Sequence, residues 1–287
     1  MRCLQSTIYK SYLLALGALL IAGCGNETTT KINGTVNFIE LNDLHAHIVP
    51  HIEQVRTADD KILLSTRGGL ARIKTKMNAL KDENTIIMNI GDTFHGGAEA
   101  LFSNGNDIVE LMNELPIDVG VMGNWDFAYG APLTTARFGN TSDVNVLRPK
   151  FEYLGANTQY MIPLGVQAMN EPQKSIASSM IQKVYKFTAG EEFLNPTKMI
   201  ERNGIKIGMI GITSDIVNRM SPLLAPIIKF TQGEADYIKL IETYSDTLKA
   251  QGAHIIVVMS ELGIHKDAQL ADKIERECKH IFLCTYT

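Results

Sequence analysis

The sequence predicts an α/β layered fold, and three observations carry that reading. Apolar, β-branched runs alternate with stretches of helical periodicity along the 287 residues. Three of those apolar runs are each followed at once by a short polar cluster. Composition is ordinary for a globular chain, 45% hydrophobic and 20% charged, with no internal repeat or low-complexity segment. The net charge of −4 provides no basic field, so no nucleic-acid partner is expected.

The elements follow in order. Residues 1–23 have the pattern of a secretion signal: Arg2 and Lys10 lead an apolar run, Tyr12 to Ala22, too short to span a bilayer comfortably. The run ends Leu20-Ile21-Ala22-Gly23-Cys24, which resembles a bacterial lipobox and implies acylation of Cys24. Gly25 to Thr30 suits a flexible tether, so 24–33 is expected to link anchor and domain, and 34–287 to form the domain. The expected location is the bacterial cell envelope, facing the periplasm. Gly25 after the cysteine is not the Asp that retains some lipoproteins at the inner membrane, so the outer membrane is preferred.

Val36–Leu41 reads as the first strand, Leu70–Leu80 as a helix with basic residues on its outer face, and Thr85–Ile90 as a buried strand. Asp107–Leu115 reads as a short helix closed by Pro116, Ile117–Met122 as a third strand and Glu152–Asn157 as a fourth. Pro163–Lys183 is polar and reads as an irregular insertion. Asn203-Gly204 between two apolar runs predicts a hairpin over Lys198–Ile212. Glu234–Gln251 is an amphipathic helix, His254–Ser260 a strand, Ala268–Glu277 a helix, and His280–Cys284 begins a further strand. Cys278 and Cys284 read as two buried thiols, since no zinc-type cysteine spacing is present; pairing in an oxidising compartment is the alternative.

The three clusters are Asn42-Asp43-Leu44-His45-Ala46-His47, Gly91-Asp92-Thr93-Phe94-His95-Gly96 and Gly123-Asn124-Trp125-Asp126-Phe127. Ligands of open α/β sheets lie beyond the carboxyl ends of strands, so the three loops can converge. A carboxylate and an imidazole two residues apart lean to the same side of an extended loop, and suit Mn, Zn, Fe or Co. Asp92 can bridge two ions, and Asn124 adds a neutral oxygen. Each cluster alone is equally at home in a turn; all three in this order, each after a buried strand, are not.

That order, Asp-x-His, Gly-Asp, Gly-Asn-x-Asp, resembles the calcineurin-like metallophosphoesterases. Asn-Asp-x-His-x-His with Gly-Asp-x-x-x-Gly is similar to their 5′-nucleotidase branch, from about Asn33 to the end. The resemblance implies a four-layer αββα sandwich and hydrolysis of phosphoesters by water activated at two divalent ions. It places Asp43 and His45 on the first ion, Asp92 between the two and Asn124 on the second. Thr93 to Gly97 would line the phosphate approach, with His47 and Thr93 as substrate contacts and His95 close enough to touch the substrate. The implied substrate is a small phosphorylated molecule such as a nucleotide.

The departures bear on function. The family's usual His after Gly-Asn is replaced by Trp125, whose indole N–H can donate but not titrate, and the Asp three residues later is Ala128. Trp125-Asp126-Phe127-Ala128-Tyr129-Gly130 is instead similar to the thiosulfohydrolases of bacterial sulfur oxidation, which implies a sulfur-carrier protein as alternative substrate. Trp125, Asp126 and His95 are thus the catalytic candidates, with a tryptophan packed in the core beside Phe127 as the competing reading for Trp125. The family's Ser-His-x-Gly is here Ser260-Glu261-Leu262-Gly263, so Glu261 stands as an oxygen donor for the second ion. His265 reads as a surface residue. The family's later Gly-His-x-His is absent: Cys284-Thr285-Tyr286-Thr287 follows the last strand. The sandwich is therefore expected to be incomplete at the C-terminus, without the family's substrate domain. An inactive membrane-tethered fragment or a misread gene end is the competing account.

Overall fold

A computed structural model describes residues 34–140, 146–274 and the backbone of 281–285. The expected signal, Cys24 and the tether lie outside the described residues, as does Cys278. The chain divides into residues 1–33 and a unit from Gly34 onward.

The second unit holds two four-stranded sheets. The first has the order β1 (Asn37–Asn42), β4 (Thr85–Ile90), β5 (Val119–Val121), β6 (Glu152–Leu154), all parallel. The second has the order β12 (Ile281–Thr285), β11 (Ile255–Ser260), β9 (Ile205–Ile212), β8 (Thr197–Arg202); only β8 is antiparallel, joined to β9 by the expected hairpin. Its turn residues Asn203 and Gly204 both have positive φ, as a two-residue hairpin of this kind requires.

Side-chain alternation builds the layers. Ile86, Met88 and Ile90 of β4 face Ile205, Ile207 and Met209 of β9 and Val257 and Met259 of β11 in one buried cluster between the sheets. Ile87 points the other way, into a second cluster with Leu70 and Met77 of α1 (Leu70–Leu80) and Ile108 and Met112 of α3 (Asn106–Met112), beyond the short α2 (Ala98–Ser103). On the far side, Ile210, Ile212, Ile256 and Val258 pack under two more helices, α8 (Glu234–Ala250) and α9 (Ile264–Ile274). The result is a helix–sheet–sheet–helix stack, the expected αββα sandwich. Strands buried on both faces read as continuous apolar runs, which is why β4, β9 and β11 stand out in the sequence.

Two stretches differ from expectation. Residues 163–183 are not irregular: they contain α5 (Leu164–Gln167) and most of α6 (Gln173–Tyr185). Ile181 and Tyr185 of α6 pack on the core, while Ile176, Met180 and Val184 stay exposed, so its apolar residues straddle two faces and blur the stripe. A hairpin of β2 (His51–Arg56) and β3 (Ile62–Arg67) was not expected. None of its residues is buried, so no in–out alternation marks it in the sequence.

Candidate metal centre

The loops after β1, β4 and β5 meet because their strands are parallel neighbours. The β1–β4 ladder continues past the strand ends: the N–H of Asp43, His45 and Ala46 donate to the carbonyls of Gly91 (3.3 Å), Asp92 (2.9 Å) and Thr93 (3.0 Å). This brings donor atoms of Asp43, His45 and Asp92 within 4.8 Å of one another, the one such metal-capable group among the described residues. His45 Nε2 lies 3.4 Å from Asp43 Oδ1 and 3.7 Å from Asp92 Oδ2. Its other nitrogen, Nδ1, is 3.2 Å from the His95 carbonyl. A carbonyl there fixes the tautomer with Nδ1–H donating, which leaves Nε2 as the ligand atom.

Asp92 is buried and held on one side: its Oδ1 accepts the Trp125 N–H at 2.7 Å, leaving Oδ2 toward His45. Burial, then the charges of Asp126 and Asp43, push its carboxyl up to about 7, against the opposing pull of the Trp125 N–H and His45. Two glycines permit this crowding. A Cβ on Gly91, which has φ +64°, would overlap Glu261 Oε1 and stand 2.5 Å from the Gly123 nitrogen; one on Gly123 would overlap Asp92 Oδ1.

Glu261 reaches this place from the second sheet, at the end of β11. It is buried, and its Oε1 has no hydrogen-bond partner. Burial, then the charges of Asp92, Asp126, Asp43 and Asp267, raise its carboxyl to about 9. An orphaned buried carboxylate oxygen beside a cluster of two acids and a histidine is what a cation-binding site looks like without its cation. The residues therefore fit divalent metal, with oxygen and nitrogen donors suited to Mn, Zn, Fe or Co.

The other expected site residues take varied places. Asn124 is half-buried on the β5 loop, and its Nδ2 donates to the Met220 sulfur at 3.2 Å. Trp125 is 40% exposed, not packed in the core; its ring stacks on His95 (centroids 5.2 Å, 24°) and stands edge-on to His45 (6.0 Å). Phe127 fills the core instead, against Phe230 and Phe193. His95 lies between Trp125 and Tyr129, its Nδ1 buried without a partner; burial and then His45 lower its pKa.

Three residues are placed differently from expectation. Asp126 is fully buried and spends its carboxylate on the N–H groups of Thr93 (2.8 Å), Phe94 (3.0 Å) and Gly123 (3.0 Å). It ties the two loops together rather than meeting a substrate. Thr93 is also buried: its hydroxyl donates toward Asn89 Oδ1 (3.0 Å) and the Gly91 carbonyl (3.1 Å), turned into the strand end. His47 is exposed, with the His51 ring beside it at 6.2 Å, and stands outside the convergent group. His265 is exposed, as expected. Sequence reasoning missed Met220, which reaches Asn124 from α7 (Val217–Met220) after β9. No spacing or motif signals it.

No family model matches the chain. It is 23% identical over 279 residues to a snake venom 5′-nucleotidase of Gloydius brevicauda, covering 95% of this chain and 40% of that protein. It is 27% identical over 252 residues to the trifunctional nucleotide phosphoesterase protein YfkN of Bacillus subtilis, covering 82% of this chain and 14% of the relative. Among solved structures, the Haemophilus influenzae NAD nucleotidase superposes with a TM-score of 0.59 at 20% identity, over 82% of this chain and 36% of that one. The Thermus thermophilus sulfate thiohydrolase SoxB superposes with a TM-score of 0.61 at 15% identity, over 88% and 48%. The chain thus spans less than half the length of the curated relatives it matches, but nearly all of it takes part. With the Asp-x-His, Gly-Asp and Gly-Asn loops gathered at one sheet edge of an αββα sandwich, the chain shares the fold of these nucleotidase and phosphoesterase structures and is similar in sequence to 5′-nucleotidases over most of its length.

Proposed function

We propose that this chain is a metal-dependent hydrolase domain acting on small phosphoesters, nucleotides first among them. The observation that carries the reading is the convergence of Asp43, His45 and Asp92 donor atoms within 4.8 Å. In this proposal Asp43, His45 and Asp92 hold one divalent ion, and Asp92, Asn124 and Glu261 a second. Two such ions would supply Lewis acidity toward water and the phosphoryl oxygens. The chain's own contribution is positional. The His95 carbonyl sets the His45 ring, and the Trp125 N–H restrains one oxygen of Asp92. Asp126 locks the loops that present them. Trp125 and His95 offer an aromatic wall at the rim on which a planar group can stack.

A second reading has a specific observation behind it. Trp125 at the rim, in a Gly-Asn-Trp-Asp-Phe loop, supports a thiosulfohydrolase-like activity on a sulfur-carrier protein, and the fold likeness to SoxB is consistent with that. Mn²⁺-loaded protein assayed against AMP, p-nitrophenyl phosphate and a thiosulfonate-bearing carrier peptide separates the two. Phosphoester turnover abolished by Asp92→Ala is expected; turnover that survives it removes the reading.

We further propose that residues 1–23 are a signal, that Cys24 carries lipid, and that 24–33 tether the domain of 34–287 to an envelope membrane, facing the periplasm. Cys24→Ser is expected to shift the protein from the membrane to the soluble fraction.

A further inference from the structure

Asn124 lies on the chain between β5 and α4 (Ala131–Phe138), and its side-chain amide has one hydrogen-bond partner among the described residues. That partner is the sulfur of Met220, 3.2 Å from Asn124 Nδ2. A thioether accepts hydrogen bonds and has no hydrogen to donate, so only the nitrogen end of the amide can face it. The oxygen end, Oδ1, is thereby turned away from the sulfur and left without a donor among the described residues. Met220 is itself held by the segment that follows β9. Asn157 clamps that segment at Thr213 from both sides: its Oδ1 accepts the Thr213 N–H (2.8 Å) and its Nδ2 donates to the Thr213 carbonyl (2.7 Å). The Ser214 N–H donates to the Met122 carbonyl at 3.3 Å, so the segment rides on the loop that carries Asn124. Val217 is completely buried, and the Met220 N–H donates to the Ile216 carbonyl at 3.1 Å, which closes the single turn of α7. The backbone of Met220 is thus anchored, while its side chain stays 40% exposed and outside the packed core.

We infer that Met220 is a positioning residue that sets the sense of the Asn124 amide, so that Oδ1 and not Nδ2 is offered to a divalent cation. The inference rests on the proposed hydrolase reading, in which Asn124 holds the second ion. The chemistry is one-sided. A divalent cation takes an amide oxygen as a ligand and is repelled by the amide N–H groups. Turned through half a circle, the same side chain would present two donors and no ligand atom. The His95 carbonyl sets the His45 ring in the corresponding way, from within the motif loops. Met220 acts from the second sheet, through a segment that the Met122 carbonyl ties to the first. Its described side-chain hydrogen bond goes to Asn124 alone, so its effect is confined to the ion that Asn124 holds. Partners that orient a ligand in this way typically carry about 10–100-fold in metal affinity.

The test titrates Mn²⁺ into the full chain, stripped beforehand with EDTA, by calorimetry and by the paramagnetic resonance of paired Mn²⁺ ions. Met220→Leu keeps an apolar side chain of similar bulk and removes the acceptor; at this exposed position it is expected to leave the melting temperature unchanged. It is expected to weaken the second ion by about 10–100-fold and to leave the first ion's constant as it was. In an Asn124→Ala background, Met220→Leu is expected to add nothing, because its effect runs through the amide. A Met220→Leu protein that binds both ions with wild-type constants overturns the inference and leaves the hydrolase reading standing. Equal weakening of both ions, or losses that add in the double variant, reveals a general structural effect and overturns it too. A wild type that takes up fewer than two ions removes both the inference and the two-ion reading beneath it.

Discussion

Glu261→Gln in metal-free protein tests whether the buried acid is a cation ligand waiting for charge. Glu261 rises to about 9 from an ordinary 4.5, first through burial and then through neighbouring carboxylates. A raised folded-state pKa means the native state holds the proton more tightly than the unfolded chain. Stability is therefore greatest at low pH and falls as pH climbs toward 9, by at most about 1.4 kcal/mol per pH unit for one group. Asp92, raised to about 7, contributes a similar fall below that pH, and burial raises Asp126 as well, so from pH 7 to 9 it is the difference between wild type and the Gln variant that reads Glu261. Across those two units the ceiling is about 3 kcal/mol, and structural relaxation with water entry should reduce it to about 1.5 kcal/mol. Urea denaturation in EDTA at several pH values reads this directly. The wild-type free energy should decline from pH 7 to 9 more steeply than that of the Gln variant, by about 1.5 kcal/mol over the window. Saturating Mn²⁺ should flatten the wild-type curve too, because a bound cation favours the ionised carboxylate, and proton release should accompany binding. Parallel curves for the two proteins in EDTA would refute the argument, since the fall would then arise elsewhere.

Asp126→Asn should cost about 2–4 kcal/mol in urea midpoint analysis, because an amide cannot accept from N–H groups on both sides, and three of them converge on this carboxylate. Gly91→Ala and Gly204→Ala both force alanine to positive φ, but Gly204 has open space and Gly91 does not. A loss of about 1 kcal/mol is expected for Gly204→Ala and more than about 3 kcal/mol for Gly91→Ala, by thermal unfolding. Ala46→Gly should be neutral or stabilising by up to about 1 kcal/mol, since Ala46 has φ +58° and glycine relieves that cost; a clear loss of stability would show that its methyl packing outweighs the strain.

What was legible in the sequence divides along a physical line. Buried parallel strands and amphipathic helices carry their own signatures, so the strand Thr85–Ile90 and the helix Leu70–Leu80 are found at the expected boundaries. The Asp43–His45–Asp92 group was legible because the donors directly follow strands whose register puts neighbouring loops side by side. Side-chain direction beyond that was not. Thr93 shares its motif with Asp92, and Asp126 its motif with Asn124, yet both turn inward to satisfy backbone N–H groups and strand-end oxygens, a choice made by loop curvature that residue type does not encode. Met220 comes from the other sheet, so its approach depends on how the two sheets are stacked, which no local pattern contains; Glu261, from the same sheet, was named only through the family resemblance. The β2–β3 hairpin has no buried face to print a period on the sequence.

Backbone strain places the site on rigid ground. Eight described non-glycine residues have positive φ, and four of them, Asp43, His45, Ala46 and Asp92, lie in the first two motif loops. The rest are local features: Asn104 and Lys186 end helices, and Asn203 and Asp60 lie in hairpin turns. Each left-handed residue costs about 1–2 kcal/mol, so several in two short loops require compensation. The continued β1–β4 ladder supplies part of it, and the three N–H bonds to Asp126 supply more. These bonds all run between protein groups, so the fold itself supports the strained geometry. What folding leaves unbalanced is charge: Asp92 and the orphaned Glu261 oxygen face each other's field with only His45 nearby as an offset. A divalent cation held by Asp43, His45 and Asp92 would supply the positive charge that this crowded group of carboxylates lacks, which is what the proposed metal-dependent hydrolysis requires.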